Sequence, residues 1–402
     1  MSTVRSTHVA DGRADRPLLV KADAFAEVSA FLQRGVEEGV FPGCVLLVGK
    51  DGIEVFKQSY GVRATKFDTE DRPLEMTPDT VFDAASLTGV MATTTLVMRL
   101  VESGHLSLKD HVSRYIQGFG VYDKSGITVG HLLSHSSGLA HWHPYFEELL
   151  KVNTGERMGV LTSRGARDYV YNAVNRSSIK SKPGIQQTYS DLGLIVLGHM
   201  VEILTGLTLD RAAQRYVFQP LGMKNTSFID LTLIRRRGIH PVRDLIAPTE
   251  ECPWRRRVLC GEVHDDNAWA MGGIAGHSGV FTTVADLHLF AAEMLKAYRG
   301  RSNFLKAETL AEFWAETELT AEGGWRFGWE SPSSENGLAT CGLSASAVGH
   351  NGFTGCSLWI EPQKGIDIVF MSNRVHPSRA NKKIRVLRPK LFEMVLKVLS
   401  GS

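Results

Sequence analysis

The chain has 402 residues, 43% hydrophobic and 22% charged. That is enough for two or three structural units and too apolar for a disordered polymer. Its 45 Lys and Arg nearly cancel 43 Asp and Glu, leaving a formal charge of +2, so no global field recruits nucleic acid or an anionic membrane. The five cysteines (Cys44, Cys252, Cys260, Cys341 and Cys356) are odd in number and form no Cys-x-x-Cys pair. Reduced thiols in a cytosol are expected rather than a disulfide framework.

In chain order, residues 1–18 are polar and charged without an apolar signal segment, which predicts a flexible tail and a cytoplasmic address. Phe25, Val28, Phe31, Leu32 and Val36 recur at helical spacing before Gly39. Two strands follow, Cys44–Val48 and Ile53–Tyr60, around the turn residues Gly49-Lys50-Asp51-Gly52. The middle is mostly helical, with clear apolar periodicity over 87–103, 191–205 and 285–297. Near the far end, Cys356–Glu361 and Ile366–Asn373 flank Pro362-Gln363-Lys364-Gly365 as a second hairpin, and 382–399 reads as a helix kinked or delayed by Pro389. Strand-rich ends around a helical middle predict an antiparallel sheet assembled from both termini. The expected division is a tail (1–18), an α/β sheet domain (19–85 with 286–402) and an inserted, mostly helical domain (86–285), with a cleft between the last two.

The most informative stretch is Phe82-Asp83-Ala84-Ala85-Ser86-Leu87-Thr88-Gly89, followed by apolar residues at strict three- and four-residue spacing. Ser86 therefore stands at a helix start. There it serves either as an N-cap or as a nucleophile beside free amides and the positive helix end, groups that also stabilise an oxyanion.

This stretch resembles the serine β-lactamase and penicillin-binding-protein superfamily, in particular its class C-like esterases and peptidases. Further segments carry the resemblance in order: residues 127–139 (ITVGHLLSHSSGL), Tyr189-Ser190-Asp191 opening a helix, residues 220–228 (PLGMKNTSF), residues 272–281 (GGIAGHSGVF) and His350-Asn351-Gly352 before a strand. The resemblance spans roughly residues 20–400 and implies an α/β fold, a mostly antiparallel sheet flanked by helices with an inserted all-α domain. It implies Ser86 as nucleophile, Tyr189 as proton relay and His350 as a substrate-facing wall. Asp191, Asn351 and Gly352 support them, and the amides of Ser86 and Phe353 form the oxyanion hole. The implied partner is a small ester or amide of the β-lactam or D-Ala type, with no metal or organic cofactor.

One position departs from that family's pattern. Its first motif is Ser-x-x-Lys, and here the third residue after Ser86 is Gly89. A helix puts such a side chain on the serine's own face one turn away, where an amine takes or polarises the hydroxyl proton. Glycine offers nothing there and costs the helix about 1 kcal/mol relative to alanine. Tyr189, His350 or a water in the vacated space are the candidate substitutes. Two readings follow, a serine hydrolase with an altered base and a catalytically deficient relative that keeps the cleft for binding.

Other motifs are weaker. Ser177-Ser178-Ile179-Lys180 is a literal Ser-x-x-Lys without an apolar helix behind it, and Gly276-His277-Ser278-Gly279 does not meet the nucleophile-elbow pattern. His131, His135, His141 and His143 have paired spacings but no matching carboxylate or cysteine, so packing is their expected role. Trp142, Tyr145, Trp325 and Trp329 are candidates for an apolar cleft lining.

Overall fold

The computed structural model describes residues 24–64, 73–152, 160–319, 324–333, 338 and 340–401; the tail expected over 1–18 lies outside them. Helix α1 (Ala26–Glu37) leads into β1 (Gly43–Lys50) and β2 (Ile53–Ala64), the predicted opening hairpin. Among the described residues, six antiparallel strands form the main sheet. In order across it they are β3 (Leu74–Glu75), β2, β1, β9 (Ile366–Ser372), β8 (Ser357–Glu361) and β7 (Val348–Asn351). Strands β1 and β9 pair from opposite ends of the chain, with Cys44 opposite Ser372 and Lys50 opposite Ile366.

These central strands are apolar on both faces because both are covered. On β1, Val45 and Leu47 point into the core shared with the helical region, while Cys44, Leu46 and Val48 meet α1 and the last helix, α4 (Ile384–Ser400). Each such Val or Leu side chain contributes about 1.5–3 kcal/mol on burial. Pro389 lies inside α4, one turn after its start. All five cysteines are buried and none forms a disulfide. Among the described residues no single helix is long and apolar enough to cross a membrane.

A second, three-stranded sheet in the order β4 (Phe82–Asp83), β6 (Val280–Thr282), β5 (Ser227–Phe228) lies at the edge of the helical region. Phe82 is opposite Thr282 and Asp83 opposite Phe281. This small sheet aims the chain at Ser86. The helix that follows is not the regular one its spacing predicts: residues Gly89–Thr94 form a wider π-helical turn before α2 (Thr95–Glu102). Gly89 leaves the backbone permissive. The Thr95 hydroxyl donates to Val90 O five residues back, and Thr93 leaves the helix to donate to Gly276 O at 2.6 Å. Such single wide turns occur mostly at functional sites.

Candidate active site

Ser86 sits on the turn between β4 and α2, half-buried. Its predecessor Ala85 has φ +48°, a conformation that costs a non-glycine residue about 1–3 kcal/mol. Buried Asp83 holds that turn by accepting from the Ala85 amide at 2.9 Å and the His264 amide at 2.7 Å. Thr354 Oγ1 donates to Asp83 O at 2.8 Å, tying the turn to the loop after β7. Ser86 is therefore not an N-cap satisfying the first helical amides, since its side chain accepts none of them.

The loop after β7 comes against the serine turn because Gly352 has no side chain: a Cβ there would lie 2.7 Å from Ala84 O. Next to it, half-exposed Phe353 is held by its carbonyl, which accepts from Arg374 Nε at 2.9 Å, and by the Arg374 guanidinium 4.6 Å over its ring. Neither the Ser86 nor the Phe353 amide donates to another described group. Two unused amides facing one cleft are what an oxyanion needs.

Tyr189 stands beside Ser86, packed among His135 (4.7 Å between ring centroids), Trp325 (5.1 Å) and His350 (5.9 Å). Its hydroxyl is closed to solvent and meets no partner at hydrogen-bond geometry, although Ser86 and Asp191 lie near enough to act on its ionisation. Burial, then the Asp191 charge, pushes this phenol well above its ordinary pKa. His135 and His350 bring it no positive charge at neutral pH. Burial lowers His135 to about 3 and His350 to about 4. His350 Nδ1 lies 3.1 Å from Asn351 O, which only accepts, so the proton sits on Nδ1 and Nε2 keeps its lone pair. Asn351 faces its own wall, donating to Glu330 at 2.9 Å and accepting from Ser357 Oγ at 3.0 Å.

Gly89 is not an empty slot. A Cβ there would meet Leu194 Cδ1 at 3.1 Å, so an isobutyl group of α3 (Asp191–Thr205) packs on the position. Of the aromatic candidates, Trp142 and Trp325 line the cleft. Tyr145 and Trp329 are core residues, the latter stacked on Phe290 and edge-on to Trp314. His131 closes a capping box with Thr128. Ser177 ends a helix by donating to Val174 O, far in role from a nucleophile.

Ser86 borders two cavities. The first, about 250 Å³, has Tyr189, Trp325, His350 and Asn351 on one side and Arg374, Lys382, Arg385 and Arg388 on the other, with Glu330 the one carboxylate. Buried Arg374 and Arg388 are lowered to about 10 by desolvation and remain charged at neutral pH; Arg388 Nε has no partner. The second cavity, about 330 Å³, is lined by Asp191, Asp265, Asp266 and His277, and by Arg379, which donates to Asp266 at 3.1 Å. Ser190 caps α3, accepting from Gly193 N and donating to Ala140 O, which presents Asp191 at the helix start. Gly276 packs on the same helix so closely that a Cβ would lie 2.0 Å from Leu194 O, bringing His277 beside Asp191. His277 Nε2 is 3.0 Å from Asp265 Oδ1. One His and two Asp here offer atoms that can hold a metal ion.

Asp265, His277 and the basic residues of the C-terminal segment are absent from the set expected from sequence. His277 lies within residues 272–281, a segment that carries the resemblance but assigns no role to its histidine. Lys382, Arg385 and Arg388 sit in a visibly basic helical start that the sequence alone does not point at any cleft.

Residues 28–390 match the Beta-lactamase family, and the chain belongs to that family. Among its relatives is a Salmonella heidelberg protein named "Putative D-alanyl-D-alanine carboxypeptidase", 29% identical over 381 residues, covering 89% of this chain and 84% of the relative. The protein of the same name from Salmonella schwarzengrund is 30% identical over the same coverage. Similar folds include the octameric penicillin-binding protein homologue from Pyrococcus abyssi (TM-score 0.67, 20% identity, 94% of this chain and 77% of that one). EstCE1, a hydrolase with promiscuous acyltransferase activity, has TM-score 0.66 at 22% identity, covering 91% and 98%. The unliganded selenomethionyl derivative of simvastatin synthase LovD from Aspergillus terreus has TM-score 0.69 at 18% identity, covering 93% and 98%.

Proposed function

We propose that the protein is a serine acyl hydrolase or transferase of the Beta-lactamase family, acting on a small ester or amide that carries a negative charge. Ser86 attacks the carbonyl carbon, its proton passes to the Tyr189 oxygen as the phenol hands its own proton to the neighbouring Asp191 carboxylate, and the amides of Ser86 and Phe353 receive the developing oxyanion. The leaving alcohol or amine takes a proton, and water then releases the acyl group from Ser86. The observation that carries this reading is the strained turn holding Ser86 against the two unused amides. The four basic residues of the first cavity, set against one carboxylate, favour an anionic substrate such as a peptide ending in a free carboxylate. That agrees with the names of the curated relatives.

Gly89, in the place the resemblance gives to lysine, weakens the base, and Leu194 packed on it favours the second reading, a binding module that has shed catalysis. Incubation with carboxylated and neutral p-nitrophenyl esters separates the two. The enzyme reading expects turnover lost in Ser86→Ala, whereas the binding reading expects ligand-induced stabilisation with no turnover in either chain.

A further inference from the structure

The second cavity brings together three donors from three segments: Asp191 at the start of α3, Asp265 before a short helix, and His277 in the turn after Gly276. Their ligand atoms lie within 4.8 Å of one another. Tetrahedral zinc with bonds of about 2.0–2.2 Å puts its ligand atoms about 3.3–3.6 Å apart, so side-chain shifts of about an ångström close the set. Two further atoms point to an occupant. His277 Nδ1 and Ser278 Oγ are buried without a hydrogen-bond partner, and both residues line this cavity. Orphaned buried polar atoms are rare, and each needs a reason. The donors are also pre-oriented, since Asp265 Oδ1 accepts from Ala268 N at 2.7 Å as well as facing His277.

We propose that Asp191, Asp265 and His277 bind a divalent cation of the zinc or manganese type, open on its remaining side to the cavity that holds Ser86. Carboxylate and imidazole donors suit such ions, not the soft ions that thiolates select, and three protein ligands with an open position mark reactive rather than structural sites. Resting on the acyl-transfer reading, the cation supplies positive charge next to the Ser86–Tyr189 pair, where Gly89 supplies none.

The test uses the full Ser86→Ala chain, so that no turnover enters, stripped with a chelator and titrated calorimetrically with Zn²⁺ alone and with Mn²⁺ alone. One equivalent should bind. Asp265→Asn and His277→Ala should weaken it by more than the about 10–100-fold that outer-shell partners cost, while His143→Ala at the exposed His143–Glu148 pair leaves it unchanged. Asp191→Asn, at a position half-buried like Asp265, repeats the test if the buried His277 variant fails to fold. No saturable binding by folded protein, or binding unaltered in these variants, overturns the site. If the cation binds but Ser86 proves unreactive in the unsubstituted chain, the acyl-transfer reading fails and the site stands.

Discussion

On the His350 side of Ser86 the cavity carries Arg374, Lys382, Arg385 and Arg388, whereas on the other side three carboxylates, Asp191, Asp265 and Asp266, outnumber one guanidinium, Arg379. A chain with a formal charge of only +2 thus separates its charges across a single serine. The two sides are also built differently. The basic side comes from the C-terminal segment and leans over the β7 loop, with Arg374 fixing Phe353. The acidic side is set by close backbone packing between Gly276 and α3. The contrast teaches that polarity at this site is local: in the proposed function one side selects the substrate and the other shapes the proton chemistry.

The largest expected effect breaks the geometry that joins the sides. Gly352→Ala forces the β7 loop off the serine turn, and acylation of Ser86 by a p-nitrophenyl ester should fall by about 10²-fold, as for an ångström-scale misplacement. Retained rates would show that the close approach to Ala84 O is not needed. Next, Arg388→Leu should raise KM for a carboxylated ester by about 10-fold or more, the worth of a hydrogen bond to a charged group, and leave a neutral ester nearly unchanged. Equal effects on both esters would remove the charge argument from the basic side.

Gly89→Lys sharpens the acidic side. Overpacking against Leu194 should destabilise the fold by roughly 1–3 kcal/mol, seen in a denaturant titration, without raising turnover. Pairing it with Leu194→Ala should relieve the strain, and a gain in turnover there would mark Gly89 as the sole defect. The smallest effect concerns the network behind both cavities. Glu250 is desolvated, yet His264 and Arg379 hold it down to about 2. A depressed carboxylate contributes stability above its unfolded pKa of about 4.3 and loses it as pH falls toward 2. Over that window, Tm should fall less steeply in Glu250→Gln than in the parent.

Much of the fold was legible because its signals are local. Alternating and continuous apolar runs marked β1, β2, β8 and β9, and the turn residues between them marked both hairpins. The π-helical turn was not legible, because apolar spacing alone does not register hydroxyls that donate outside the ladder, as Thr93 does to Gly276. At the site, Ser86, Tyr189 and His350 could be named from ordered motifs and do share one cavity. Their electrostatics could not be named. Whether His350 carries a charge depends on burial and on the Asn351 carbonyl, and whether Gly89 leaves a void depends on Leu194, more than a hundred residues away. His277 was hidden for the same reason, since only tertiary packing brings it to Asp191.

The central claim is that Ser86 is the nucleophile, and covalent labelling tests it most directly. After reaction with a fluorophosphonate, intact-mass and peptide analysis should find one phosphonyl adduct, on Ser86, in the unsubstituted chain and none in Ser86→Ala. An adduct that persists in Ser86→Ala, or a folded chain that takes up no phosphonyl group, would contradict it.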